Sequence, residues 1–154
     1  MALDATDLKI LEILQADGKA SHAAIAEKVG IKAPSVFERI KKLEGRGIIQ
    51  GYTVLIDPAA LDKNLTAFIG VTIMGGPDYA DESAIVDKIA NEPAIEECHI
   101  VAGEESFILK VRVRTPQELQ DLTTRLRRIE GVARTRTTVA LSTPLDRPGP
   151  SISD

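Results

Sequence analysis

Lys32, Arg39, Lys41, Lys42 and Arg46 stand among only two acids, Glu38 and Glu44, so residues 32–46 carry a net +3 in a chain whose overall charge is −4. Ammonium and guanidinium groups pair with phosphate, and a guanidinium can also chelate a guanine edge. With residues placed about 100° apart on a helix, Val36, Ile40 and Leu43 fall within a narrow arc. Ser35, Glu38, Arg39, Lys42 and Arg46 fall on the opposite side, so one face packs and the other is left to read a nucleic acid. An isolated basic helix is more often a solvated surface, so what surrounds it decides. Arg39 has a second possible use, a salt bridge to Glu44 or another acid.

Other chemistry finds little support. His22 opens a helix, His99 sits in a strand beside Cys98, and no spacing of Cys and His matches a metal site. Cys98 and His99 are strand neighbours, which point to opposite faces and are poorly placed as nucleophile and base. A buried, inert thiol is expected at Cys98, with redox sensing as the alternative. Gly45-Arg46-Gly47 and Gly75-Gly76 lack the flanks of a phosphate loop. No catalytic residue, metal or cofactor is expected.

The elements that must hold the basic helix are legible around it. Thr6 or Asp4 can cap a first helix that has Asp7 in its first turn and Ile10, Leu11 and Leu14 at helical spacing; Asp17-Gly18 stops it. Ser21 can cap a second helix that buries Ile25, Ala26 and Val29 and ends at Gly30. After the third helix, Gly45 and Gly47 break the pattern, and Ile48 to Gln50 with Tyr52 to Ile56 alternate as a two-stranded wing would. The unit 1–56 therefore reads as a winged helix-turn-helix, built to lay one helix in a DNA major groove. Its balance is even, eight cations against eight anions in residues 1–60; from 61 onward it is eleven against fifteen.

A linker is expected over 57–65 and a second domain over 66–142. Thr66 to Met74 reads as a strand, Gly75-Gly76-Pro77 as a break and Asp81 to Asn91 as a helix. Ile95 to Ala102 and Phe107 to Arg114 read as strands about the loop Gly103-Glu104-Glu105-Ser106. Pro116 to Ile129 reads as a helix with Leu119, Leu122, Leu126 and Ile129 inward, and Val132 to Leu141 as the last strand. This βαββαβ order predicts a ferredoxin-like sandwich, so the fold class is α+β. Residues 107, 109, 111 and 113 should face the helices, turning Ile108, Lys110, Arg112 and Arg114 outward, where Arg134 and Arg136 can join them. That basic face fits a second subunit's acids, such as Glu96 or Glu104, or a nucleic acid. An RNA-binding sheet offers stacking aromatics, and only Phe68 and an inward-pointing Phe107 could compete for that role, so a subunit interface fits better.

The chain has 154 residues, 44% of them apolar, enough for one ordinary domain or two small ones. One cysteine makes no internal disulfide, no apolar run reaches membrane-spanning length, and MALDATDLK lacks the layout of a signal peptide, so a cytoplasmic protein without membrane contact is expected. Residues 143–154, rich in proline, should form a flexible tail.

These residues also carry a family resemblance. Leu3-Asp4, Asp7, Ile10-Leu11, Asp17-Gly18, Ala26, Val29-Gly30, Arg39, Leu43-Glu44, Gly47 to Ile49, Gly51-Tyr52 and Asp57-Pro58 together resemble the N-terminal half of the leucine-responsive regulatory protein family (Lrp/AsnC), bacterial and archaeal transcription regulators. The resemblance implies double-stranded DNA as partner, with Lys32, Ser35, Glu38, Arg39, Lys42 and Arg46 on the DNA side. It also implies a C-terminal half that forms homodimers and a higher oligomer such as an octamer. In the family a loop resembling Gly-(Asp/Glu)-x-Asp-Tyr helps hold a small effector, usually an amino acid, where dimers meet. Gly103, Glu104 and Ser106 are the matching effector-binding positions here. Two departures bear on function. Ser106 and Phe107 replace the second acid and the tyrosine, and a hydroxyl gives a neutral hydrogen bond about half as strong as a charged one. Weak amino-acid binding, another effector class, loss of sensing, or a redox response through Cys98 are the alternatives this opens; 103–106 can also be a plain glycine turn. In the reading helix, Glu38 stands where many members carry a basic residue, and Lys32 where a capping serine is usual.

Overall fold

The computed structural model describes residues 2–74 and 82–152. Two compact units form, one of residues 1–55 with 145–154 and one of residues 56–144. The break expected at Gly75 to Pro77, and Asp81 at the start of the following helix, lie outside the described residues.

In the first unit three helices follow in order, α1 (Ala5–Ala16), α2 (His22–Val29) and α3 (Ala33–Gly45). Asp4, rather than Thr6, caps α1. Its carboxylate accepts the Asp7 N–H at 2.8 Å, while the Asp7 carboxylate accepts the Asp4 N–H at 3.4 Å, a reciprocal capping box. Ser21 Oγ accepts the Ala24 N–H at 3.1 Å to start α2, which ends at Gly30 with φ +77°, a conformation costly for other residues. Lys32 precedes α3 and makes no side-chain cap; Pro34 in the first turn has no N–H to leave unsatisfied. Ile10, Ile25, Ala26, Val36 and Ile40 form the core of the unit, and Leu43 is buried on the same side of α3. Each fully buried Ile or Val side chain contributes about 1.5–3 kcal/mol.

The wing is a correction. Among the described residues neither Ile48 to Gln50 nor Tyr52 to Ile56 is a strand. The Ile48 and Ile49 N–H groups are spent on the Leu43 carbonyl, at 2.9 and 3.3 Å, closing the end of α3, and Ile49 packs on the core. The alternating segment that follows therefore has no ladder to join. Tyr52 is tied back by its hydroxyl, which donates to Glu44 at 3.0 Å, but Val54, Leu55 and Ile56 lie exposed.

The second unit opens with a 3-10 turn at Pro58–Leu61, capped by Asp57 and closed by Asp62 in the left-handed region, so most of the expected linker is folded. Then come β1 (Leu65–Ile73), α4 (Glu82–Ala90), β2 (Ile95–Ile100), β3 (Phe107–Val113), α5 (Pro116–Arg127) and β4 (Val132–Val139). The sheet order is β2-β3-β1-β4 and every pairing is antiparallel, the expected ferredoxin-like arrangement. Ala67, Ile69 and Val71 of β1 and Phe107, Leu109, Val111 and Val113 of β3 meet Ile85, Ile89, Leu119, Leu122 and Leu126 of the helices in one core. The strict alternation of β3 places Ile108, Lys110 and Arg112 on the outer face, as the period-two pattern requires.

The tail also departs from expectation. The Gln15 side-chain amide donates to the Pro148 and Pro150 carbonyls at 3.2 and 2.9 Å, so this segment lies on α1 within the first unit. Proline richness signals a chain that cannot build its own core, and says nothing against its docking on one.

Candidate nucleic-acid interface and ligand loop

Helix α3 has the two faces its sequence implies. Val36, Ile40 and Leu43 are at most 6% exposed, whereas Lys32, Ser35, Glu38, Lys41, Lys42 and Arg46 are exposed. Among the described residues Lys32, Lys41 and Lys42 enter no ion pair, so their charge is uncompensated. Glu38, Arg39, Lys41 and Lys42 line an open hollow of about 760 Å³ with Asp4 and Asp7 of the α1 entry. Phe37, 46% exposed, meets the His22 ring edge-on with centroids 5.5 Å apart, fixing α2 against α3 beside the exposed face.

Arg39 makes the salt bridge that was its second possible use, with acids other than Glu44. Its Nη1 donates to Asp4 Oδ2 at 2.7 Å and to Asp7 Oδ1 at 2.6 Å, while Glu44 accepts from Tyr52. Asp7 is held at 13% side-chain exposure. The Asp7 N–H first, and Arg39 second, hold the Asp4 carboxyl below the ordinary carboxylate range, while Asp4 and then Asp7 push the Arg39 guanidinium up. Arg39 thus fastens the capped start of α1 to the middle of α3, and in this structure its guanidinium is engaged by two carboxylates. Asp4 and Asp7, already legible at the start of α1, were not foreseen as the partners of Arg39. Their i, i+3 spacing before an apolar run was the available signal of a capping box.

Lys110, Arg112 and Arg136 of the basic outer face of the sheet are answered by acids within the chain. Arg112 Nε lies 2.7 Å from Glu96 Oε1, and Lys110 Nζ lies 2.9 Å from Glu97 Oε1 and 3.8 Å from Glu96 Oε2. A register shift between Ile95 and Glu97 brings two consecutive carboxylates to those cations. His99 Nε2 is 3.0 Å from Glu97 Oε2, and the His99 and Lys110 contacts hold the Glu97 carboxyl below its usual range. Glu96 therefore has its cation at home, without a second subunit. Cys98 is a correction, since it is exposed: β2 is an edge strand with little over it. Partial burial still pushes its thiol up, away from the reactive thiolate.

In the loop after β2, Gly103 and Glu104 are exposed, and the Glu104 carbonyl accepts Thr72 Oγ1 at 3.4 Å. Ser106 is knitted to β1: its N–H donates to the Val71 carbonyl at 2.8 Å and its Oγ accepts the Ile73 N–H at 3.3 Å. What its hydroxyl has left for a ligand is one proton and one acceptor lone pair. Phe107 is fully buried and takes no part in the loop surface. The residue overlooked is Glu105. Its side chain is 11% exposed and crosses Gly70, where a Cβ would lie 2.6 Å from Glu105 Cγ, and Oε1 sits 2.5 Å from Arg136 Nη2, an ion pair outside hydrogen-bond angles. Gly70 pairs with Arg136 across β1 and β4, a register that sequence alone does not disclose.

Comparison with known proteins agrees with both units. Residues 3–44 match the AsnC-type helix-turn-helix domain and residues 66–150 the Lrp/AsnC ligand binding domain. The leucine-responsive regulatory protein of Haemophilus influenzae is 40% identical over 142 residues, covering 91% of this chain and 84% of that protein. The HTH-type transcriptional regulator LrpA of Mycobacterium tuberculosis is 38% identical over 142 residues and 92% of each. Among solved structures, a Neisseria meningitidis transcriptional regulator in complex with L-Met superposes with a TM-score of 0.88 at 25% identity, covering 95% of this chain and 94% of that one. With a helix-turn-helix whose third helix bares uncompensated lysines, and a βαββαβ unit of the matching type, the chain belongs to the Lrp/AsnC family of DNA-binding transcriptional regulators.

Proposed function

We propose that this regulator reads its operator with Ser35 and Lys42 of α3, supported on phosphate by Lys32, Lys41 and Arg46, while Arg39 sets the pose of the helix and Glu38 tempers its affinity. The observation that carries this reading is the split of α3 into a buried seam and an exposed face with unpaired lysines. Glu38 repels phosphate and can accept from cytosine N4, exchanging affinity for base preference. The chain works as a homodimer and higher oligomer in the cytoplasm, without a catalytic role. Exposed Phe68 and Ile100 on the second unit, and the unpaired stretch through Val54, Leu55 and Ile56, supply apolar surface for association. No helix among the described residues is long and apolar enough to cross a membrane. A two-fold dimer favours a pseudo-palindromic site with half-sites spaced by whole helical turns.

The loop 103–106 is the effector region, and the L-Met complex of a relative supports an amino acid as its class. Because Ser106 offers no carboxylate for an ammonium group, ordinary amino acids bind weakly here or give way to another ligand. A ligand regulates only by preferring one assembly over another. Selection from random DNA, with light scattering in the presence and absence of amino acids, tests the reading. A protein that selects no sequence defeats the operator claim, and micromolar calorimetric binding of several amino acids defeats the weak-effector claim.

A further inference from the structure

The segment Arg147–Ile152 is bent around one side chain of the DNA-binding unit. Gln15 Nε2 donates to the Pro148 carbonyl at 3.2 Å and to the Pro150 carbonyl at 2.9 Å. Between these two carbonyls Gly149 adopts φ +95°, and its N–H donates to the Arg147 carbonyl at 3.0 Å. A Cβ at Gly149 would lie 3.2 Å from Gln15 Nε2, so both the backbone conformation and the close approach call for glycine. Arg147, Gly149, Ser151 and Ile152 line a hollow of about 360 Å³ with Glu12 and Ala16 of α1, and Ile152 is half-buried. Pro148 and Pro150 restrict the free chain, so less entropy is lost when the segment settles.

We propose that Arg147–Ile152 is a strap whose docking surface is the outer face of α1, formed by Glu12, Gln15 and Ala16, and whose occupant is the same chain. The exposed residues of α3 named for DNA do not line this hollow, so the strap leaves the reading face open. Its consequence follows from connectivity. The chain passes from the first unit to the second at Leu55–Ile56 and returns at Pro144–Leu145, only a few residues after β4 ends at Val139. A ligand that moves β4 therefore has a second covalent route to the DNA-binding unit.

Hydrogen exchange on the full chain tests the docking. The amide at position 149, which donates to the Arg147 carbonyl, should exchange about tenfold more slowly than in Gly149→Val or Gln15→Ala, since the turn is lost in the one and the two hydrogen bonds that seat it in the other. Gln15 is exposed and alanine is the better helix former, so Gln15→Ala keeps α1 folded. Equal exchange in all three proteins overturns the strap. A bis-maleimide spanning cysteines at Ala16 and Ser151, in a Cys98→Ser background, should close within one chain. A covalent dimer, or no closure, overturns the same-chain occupant.

Discussion

Two stripes of cations of similar appearance in the sequence end in opposite electrostatic states. On the sheet, Lys110, Arg112 and Arg136 each find a carboxylate of their own chain at 2.5–2.9 Å. On α3, Lys41 and Lys42 find none among the described residues, while Arg39 is answered by two acids from α1. Paired surface charges contribute little to stability, about 0–1 kcal/mol each, and they exert little field on a polyanion. Unpaired ones have no internal ion pair to give up before they meet phosphate. The difference separates a face that holds itself together from one kept available to a partner.

The contrast breaks first at its support. Ile40→Ala, cutting the buried seam of α3, should destabilise the first unit by about 2–5 kcal/mol in urea unfolding and abolish DNA binding through loss of fold. A negligible change would mean that the seam does not hold the helix. Next in size is Lys42→Ala, which should weaken DNA binding and lower the slope of log K against log salt by about 0.9. Lys110→Ala, whose cation is already answered by Glu97, should leave that slope untouched; equal slopes for the two variants would erase the contrast.

Arg39→Ala sharpens it. With Asp4 and Asp7 left facing each other, the melting temperature of the first unit should fall, and DNA affinity should drop with the salt slope unchanged. A slope lower by about 0.9 would instead put Arg39 on phosphate. Acid has the same sign. The folded-state pKa of Asp4 is depressed, so its contribution is complete above the ordinary value of 3.8 and is lost as pH falls from there through the folded value. Near-neutral titration should therefore leave α1 undisturbed, and melting of the unit between pH 5 and 8 on account of this pair would contradict the assignment. The smallest effect is expected at Glu38: Glu38→Ala should tighten binding to random-sequence DNA about twofold to fivefold at fixed salt. Weaker binding would show that the carboxylate assists.

Both units were legible because their signals are local. Capping residues, the Gly30 stop and the 3.6-residue spacing of Val36, Ile40 and Leu43 depend on neighbours within a turn or two, and the alternation in β3 depends on none beyond the strand. The wing failed for the opposite reason: alternation measures strand propensity, whereas a strand needs a partner, and Ile48 and Ile49 were committed to the end of α3. Cys98 failed because burial depends on whether a strand lies at an edge.

From the order of residues alone came the helix-turn-helix, the βαββαβ order, the family and the side of α3 that faces outward, all set by short-range periodicity and capping. Tertiary structure alone decided which charges are spent. Arg39 meets Asp4 and Asp7 from more than thirty positions away, Glu105 reaches Arg136 across Gly70, and Gln15 holds Pro148 and Pro150 from the far end of the chain. Ion pairs and hydrogen bonds act over a few ångströms, and only folding brings residues so distant in sequence within that range.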